Sequence, residues 1–330
     1  MRTIKELGER KVIETILKFL DPMPNAPIPF GDDVSAIQID ENKLVVIKVD
    51  MLVGRTDVPP GMSLKQAARK AVVMNVSDFA AKGVKPLAAM ISLGLPSTLT
   101  EKDIDEIGSG ISEGAREYGV FIIGGDTNET SDLVIDCALI GLCDKEKIVK
   151  RSGAKPGDIV AVTGLFGKTS SGLKILLENL TLSEHLKKPL IESVLMPKAR
   201  LKEGLALANL KALTSSIDSS DGLAWSLHEL SEASGVGFLI ENIPIAPEAE
   251  AFAEEYGLNP VDLSLYGGEE YELVVTVKPN MWEEAKEALM SLGTQLIKIG
   301  TVIKEKKIEL RMNGEKRRVK AKGWEHFKEK

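Results

Sequence analysis

An apolar run that delivers aspartate beside glycine or serine recurs along this chain. It appears at Gly31-Asp32-Asp33, Val49-Asp50, Ser77-Asp78, Gly124-Gly125-Asp126 and Asp218-Ser219-Ser220-Asp221-Gly222. At any single place such a pattern is ordinary turn chemistry. Repeated, it predicts carboxylates meeting in one cleft, where hard divalent cations bind to oxygen ligands. Phe121-Ile122-Ile123 reads as a buried strand that ends in Gly124, Gly125 and Asp126, the glycines allowing a ligand or second backbone to come close. Asp218 and Asp221 stand three apart where a strand turns into a helix, a spacing that suits a shared cation or, alternatively, helix capping. Tyr266-Gly267-Gly268-Glu269-Glu270 adds a further glycine-framed carboxylate ahead of a strand.

Other chemistries lack their parts. His185, His228 and His326 are scattered with no HExxH spacing, and Cys137 and Cys143 sit in an alternating apolar segment with no CxxC, so they read as core residues. Gly164-Leu165-Phe166-Gly167-Lys168-Thr169 has two residues between its glycines where a Walker A loop needs four; what survives is a strand-to-helix turn whose N–H groups could receive an anion. Gly110-Ile111-Ser112-Glu113-Gly114 fits the spacing of a nucleophile elbow but falls inside a predicted helix, and no GxGxxG follows a strand.

The elements that must position these residues alternate between helical and strand periodicity. A helix is predicted over Thr3–Leu20, then strands at VSAIQI and LVVIKVD, then a helix from Ser63 through Ala81 opened by a Ser63/Gln66 capping box. A strand from Leu87, a helix capped by Thr100 and Asp103, the Phe121 strand and a strand over Leu133–Cys143 follow. The charged run DKEKIVKRSGAKPGD marks a boundary, with residues 1–146 as one domain and 147–330 as an α/β second domain, an α/β or α+β class overall. With 330 residues, 43% hydrophobic and 28% charged, the chain can fill two sizeable cores. A net charge of -7 argues against nucleic-acid binding, and Lys316-Arg317-Arg318 reads as a solvated turn. The N-terminal twenty residues carry acids throughout, which predicts no signal peptide or membrane span and a cytoplasmic protein.

Eight blocks in order, PFGDDVSAI, VDMLV, AVVMNVSDFAAKGVKP, IIGGDT, RSGAKPGD, SSIDSSDGL, YGGEEYEL and KGWEHF, resemble the thiamine-monophosphate kinases, within the superfamily of aminoimidazole ribonucleotide synthetase and selenophosphate synthetase. The resemblance implies that superfamily's N-terminal mixed-sheet domain, binding ATP and Mg²⁺ and forming a homodimer, with a C-terminal α/β domain completing the site. It implies Mg²⁺ ligands at Asp33, Asp50, Asp78, Asp126, Asp218 and Asp221, with Asp32 nearby. Gly125, Asp126, Arg151 and Ser220 match positions that contact ATP, and Asp57, Glu269 and Trp324 positions at the thiamine phosphate pocket. Catalysis would rest on Asp126, Asp218, Asp221 and Arg151. The implied reaction is direct in-line transfer from ATP to thiamine monophosphate. Where many bacterial members carry Ser-Thr before the aspartate at position 50, this chain has Lys48 and Val49, so neither side chain there supplies a hydroxyl ligand. Asp57 stands where those members have histidine. The alternatives are another ATP-using enzyme of the superfamily, whose reactive cysteine is missing here, and a noncatalytic binder of nucleotide or thiamine phosphate.

Overall fold

In the computed structural model, which describes residues 2–312 and 314–327, two short helices, α1 (Ile4–Leu7) and α2 (Glu9–Leu17), precede a five-stranded sheet. Its strands are β1 (Ser35–Gln38), β2 (Lys43–Val53), β3 (Lys85–Leu95), β4 (Phe121–Glu129) and β5 (Val134–Asp144), in the order β1-β2-β5-β3-β4. Only β3 and β4 run parallel, joined by the crossover helix α5 (Glu101–Tyr118). The short α3 (Gly54–Asp57) and the long α4 (Leu64–Lys82) lie between β2 and β3. Ser63 caps α4 with its hydroxyl on the Gln66 N–H while the Gln66 side chain returns to the Ser63 N–H.

The second sheet is seven-stranded, in the order β12-β11-β8-β10-β6-β9-β7. These are β6 (Ile159–Val162), β7 (Leu213–Asp218), β8 (Gly237–Ile240), β9 (Leu273–Val277), β10 (Ile297–Ile303), β11 (Ile308–Met312) and β12 (Glu315–Arg318). Helices α6 (Lys168–Glu178), α7 (Glu184–Leu195), α8 (Leu201–Asn209), α9 (Leu223–Ser234), α10 (Pro247–Glu255), α11 (Pro260–Tyr266) and α12 (Trp282–Ser291) pack around it. One apolar core runs through both halves: Leu44, Val46 and Ile135 share a cluster with Leu273, Val275 and Leu289. At the junction α8 lies directly on α4, because Gly204 has no side chain; a Cβ there would come within 1.9 Å of the Ala80 carbonyl oxygen.

Two expectations are corrected and a third is met. The Phe121 strand is neither buried nor short: β4 is the edge strand, continues through Glu129, and is exposed along its whole length, with Phe121 69% and Ile123 63% accessible. Asp126 therefore sits inside a strand and not at its end. Lys316-Arg317-Arg318 is strand β12, paired with β11 across a hairpin; its charges face solvent as expected, but the backbone is extended. The GxSxG pentapeptide does lie within α5, where Gly110 and Gly114 are buried against α4. Its glycines serve close helix packing.

Candidate active site

β2 alternates as a half-buried strand must, with Leu44, Val46 and Leu52 wholly buried on the side that faces α4. Lys48 and Asp50 fall on that same side. Asp78, one turn beyond Asn75 on α4, is buried, and Asn75 accepts the Asp50 N–H through Oδ1 at 3.0 Å. From the second half, Asp218 arrives at the C-terminal end of β7 with 4% of its surface exposed. From the first, Asp33 arrives on the loop before β1. Carboxylate oxygens of Asp33, Asp78 and Asp218 all lie within 4.8 Å of one another, so two halves of the chain contribute to one acidic centre.

Three cations frame that centre. Lys82 Nζ, fully buried, lies 2.7 Å from Asp32, 2.6 Å from Asp33 and donates to the Ser216 carbonyl at 2.8 Å. Arg151 donates through Nε to Asp33 Oδ1 at 2.7 Å and also reaches Gly31 O and Glu229. Lys48 Nζ stands 3.0 Å from both Asp50 and Asp78. Burial raises the Asp33 carboxyl, yet Lys82 and Arg151 outweigh it and hold that group below the usual range. Asp78 goes the other way: burial and the charges of Asp218, Asp50 and Asp33 push it well up against the pull of Lys48. Burial, helped by Asp33, pushes Asp218 to about 6, and the Ser77 hydroxyl donating at 2.6 Å only partly compensates. Burial and the nearby Glu9 push Asp221 to about 7. The centre as it stands is short of positive charge on the Asp78–Asp218 side.

The loop 266–272 is zipped to the loop after β7. Ser219 N–H donates to Glu272 O at 2.8 Å, Glu269 N–H to Ser220 O at 2.6 Å and Tyr271 N–H to Ser219 O at 3.0 Å. Glu269 adopts φ 64° and Tyr271 φ 52°, left-handed conformations that side-chain-bearing residues rarely hold without such support. Trp324 N–H donates to Asp221 O at 3.0 Å. Glu269 and Trp324 are thus anchored to consecutive carbonyls, 220 and 221, next to the acidic centre. Asp57 accepts the Val53 N–H at 2.7 Å, and its own carbonyl accepts from Lys70 Nζ at 2.9 Å. Lys70 donates also to Glu269 Oε1 at 2.5 Å, tying Asp57 to Glu269.

Asp126 and Gly125 stand apart from this group. Asp126 is level with Ser92 on β3 and Asp136 on β5, on an exposed strand three positions across the sheet from β2. Three strand spacings amount to about 14 Å, too far for Asp126 and Asp50 of one chain to share an ion. Gly125 presses on β3, where a Cβ would fall 1.8 Å from the Ile91 carbonyl oxygen. The 164–169 turn is also spoken for: the Gly167 and Thr169 N–H groups donate to the Glu270 carboxylate at 2.6 and 3.3 Å. The anion that this turn could receive is the protein's own.

Models of the "AIR synthase related protein" N-terminal and C-terminal domains match residues 31–143 and 155–313. The thiamine-monophosphate kinase of Nitrosopumilus maritimus is 39% identical over 90% of this chain and 93% of its own, and that of Pyrococcus horikoshii 37% over 96% of both. The chain belongs to the thiamine-monophosphate kinase family. A solved structure described as AaThiL complexed with AMPPCP and TMP superposes with a TM-score of 0.86 at 30% identity over 99% of both chains. The hydrogenase maturation protein HypE of E. coli, 21% identical with a TM-score of 0.70, shares the fold.

Within this family member, the residues that sequence reading did not reach are the amines. Lys70 and Lys82 look like solvated charges on a helix, and nothing local reveals that each is buried against carboxylates. Arg10 is another such residue. Its guanidinium lies 3.7 Å over the Trp225 ring and pairs with Glu229 at 2.5 Å, linking α2 to Arg151 through Glu229. A Lys or Arg inside an otherwise apolar period is the one available signal, and only at Lys48 is it present.

Proposed function

We infer that this enzyme transfers the γ-phosphoryl group of ATP to thiamine monophosphate, giving thiamine diphosphate and ADP. The observation that carries the reading is the convergence of Asp33, Asp78 and Asp218, from both halves of the chain, to within 4.8 Å. The acceptor is a phosphate monoester, whose second ionisation lies near 6, so at neutral pH it needs no general base. Its oxygen attacks the γ-phosphorus in line as the bond to the β-bridging oxygen breaks, and ADP departs without a covalent enzyme intermediate. The centre's lack of histidine fits that chemistry.

The donor set fits Mg²⁺: all oxygen, clustered, and short of positive charge. Among the described residues the buried Ser219 hydroxyl has no hydrogen-bond partner, which leaves its lone pairs for a cation. Asp33, Asp78 and Asp218 would hold it, with Asp221 beside them, and bound Mg²⁺ would neutralise and align the two phosphate chains. Arg151 holds Asp33 in place, Ser220 lies on the loop after β7 with its carbonyl accepting the Glu269 N–H, and Asp57, Glu269 and Trp324 frame the acceptor end. On this reading residues 1–146 carry the nucleotide, metal and dimer surfaces, and 147–330 complete the site. A homodimer is supported by the exposed apolar row of Phe121, Ile123, Val49 and Met51 on the first sheet. Gly125 and Asp126 lie on the strand that such a dimer would cover, and their nucleotide role belongs with it. An ATP-consuming step and two unpaired cysteines suit the cytoplasm; among the described residues no helix is long and apolar enough to cross a membrane.

The test is incubation of the full chain with ATP, Mg²⁺ and thiamine monophosphate. Thiamine diphosphate and ADP are expected in equal amounts, and ATP hydrolysis without the diphosphate would overturn the reading. Asp126→Asn, at an exposed position, should abolish turnover while leaving the melting curve in place; an inactive variant that is also unfolded would argue for a structural role.

A further inference from the structure

Lys48 sits where its charge needs an explanation. On the side of β2 that faces α4, Leu44, Val46 and Leu52 are wholly buried, and Lys48 and Asp50 occupy the two positions between them. The lysine side chain is 19% exposed, and its Nζ bridges Asp50 Oδ1 and Asp78 Oδ2 at 3.0 Å each. Two residues apart on one strand, Lys48 and Asp50 are neighbours by construction.

The charges divide into two sets. Lys82 and Arg151 meet Asp32 and Asp33. Lys48 meets Asp50 and Asp78, and Asp218 has the Ser77 hydroxyl. An ammonium has three N–H donors and no lone pair, so Lys48 cannot be a ligand as a hydroxyl at this position could. Nor can it share its place. Mg²⁺ requires oxygen at about 2.0–2.1 Å, so an ion set between Asp50 Oδ1 and Asp78 Oδ2 would have to expel the ammonium.

We propose that Lys48 is a resident cation that takes the place of one divalent ion, so that Asp50 is neutralised by the chain itself and the centre binds one Mg²⁺ fewer than its carboxylates alone would hold. The inference rests on the kinase reading above and narrows it. While the ammonium stays, the space between Asp50 Oδ1 and Asp78 Oδ2 is closed to the ion, and Asp50 serves as the counter-charge of Lys48 and not as a metal ligand.

Mn²⁺ is titrated into the full chain with a non-hydrolysable ATP analogue, and bound ions are counted by electron paramagnetic resonance. Lys48→Met is expected to bind one more Mn²⁺ per chain than wild type, and Lys48→Arg the same number as wild type. A folded Lys48→Met protein with an unchanged count overturns the proposal. Should Lys48→Met fail to fold, the double variant Lys48→Met/Asp50→Asn removes charge and counter-charge together. It is expected to fold and match the wild-type count; a count above or below wild type overturns the proposal. Wild-type protein that forms the diphosphate and binds Mn²⁺, beside an unchanged Lys48→Met count, sinks the role of Lys48 alone. Wild type that binds no Mn²⁺ and forms no diphosphate sinks the kinase reading with it.

Discussion

Glu270 is held at the N-terminus of α6 by two backbone N–H groups, yet burial pushes its carboxyl up to about 7. A carboxyl whose pKa is higher folded than unfolded stabilises the fold below about pH 4.5 and loses that contribution as pH rises through 7. The unfolding midpoint of the metal-free protein should therefore fall between about pH 5 and 7.5. Glu270→Gln, whose amide oxygen can still accept, should flatten that slope by about 1 kcal/mol or more; an unchanged slope in a denaturant titration at each pH would refute it. Lys70 makes a second prediction. Its amine ties the Asp57 carbonyl to Glu269, so Lys70→Met should raise KM for thiamine monophosphate at least about tenfold, the cost of roughly one charged hydrogen bond. KM for ATP should stay near wild type, and an equal rise in both would count against a role at the acceptor end. Asp33, Asp218 and Asp221 were legible because glycine and serine frame them at turns. Lys70 and Lys82 were not, since a lysine buried against a carboxylate 199 or 49 positions away leaves no mark on its own helix.

Helix α4 decides how the halves meet, and its sequence announced both its start and its length. Ser63 and Gln66 form the expected capping box, and Gly83 closes the helix in a left-handed conformation at φ 65°. What could not be read is that α4 is covered on most sides, by the sheet, α5 and α8, because small residues on those partners permit the approach. Gly204→Ala should cost about 1–3 kcal/mol, as the added methyl meets the Ala80 carbonyl. Gly108→Ala, on the open side of α5 with nothing within 4 Å, should stabilise by about 0.4–1 kcal/mol. Chemical denaturation of both variants separates them, and equal effects would mean that α4 and α8 part easily. Strand β4 was misplaced for a related reason. Phe121-Ile122-Ile123 carries the composition of an interior strand, but composition reports that apolar surface will be covered, and not by which molecule.

At the scale of the whole molecule, the order of strands and helices and the two-sheet architecture could be read from periodicity together with the family resemblance. The gathering of Asp33, Asp78 and Asp218 depends on contacts no local pattern encodes. Ile123→Lys is expected to leave the secondary structure intact and shift the protein from dimer to monomer in sedimentation velocity. A monomeric wild type, or a variant that stays dimeric, would remove the exposed sheet from consideration as the interface. Lys82 has a consequence for how the chain can be divided. One ammonium, with no exposed surface, answers two acids on the loop before β1 and a carbonyl on β7. Severing the polypeptide between the sheets would strand that amine in one fragment without its β7 carbonyl and open a shared core to water. Neither piece should persist alone, and mixing the two should restore a folded complex only through simultaneous assembly.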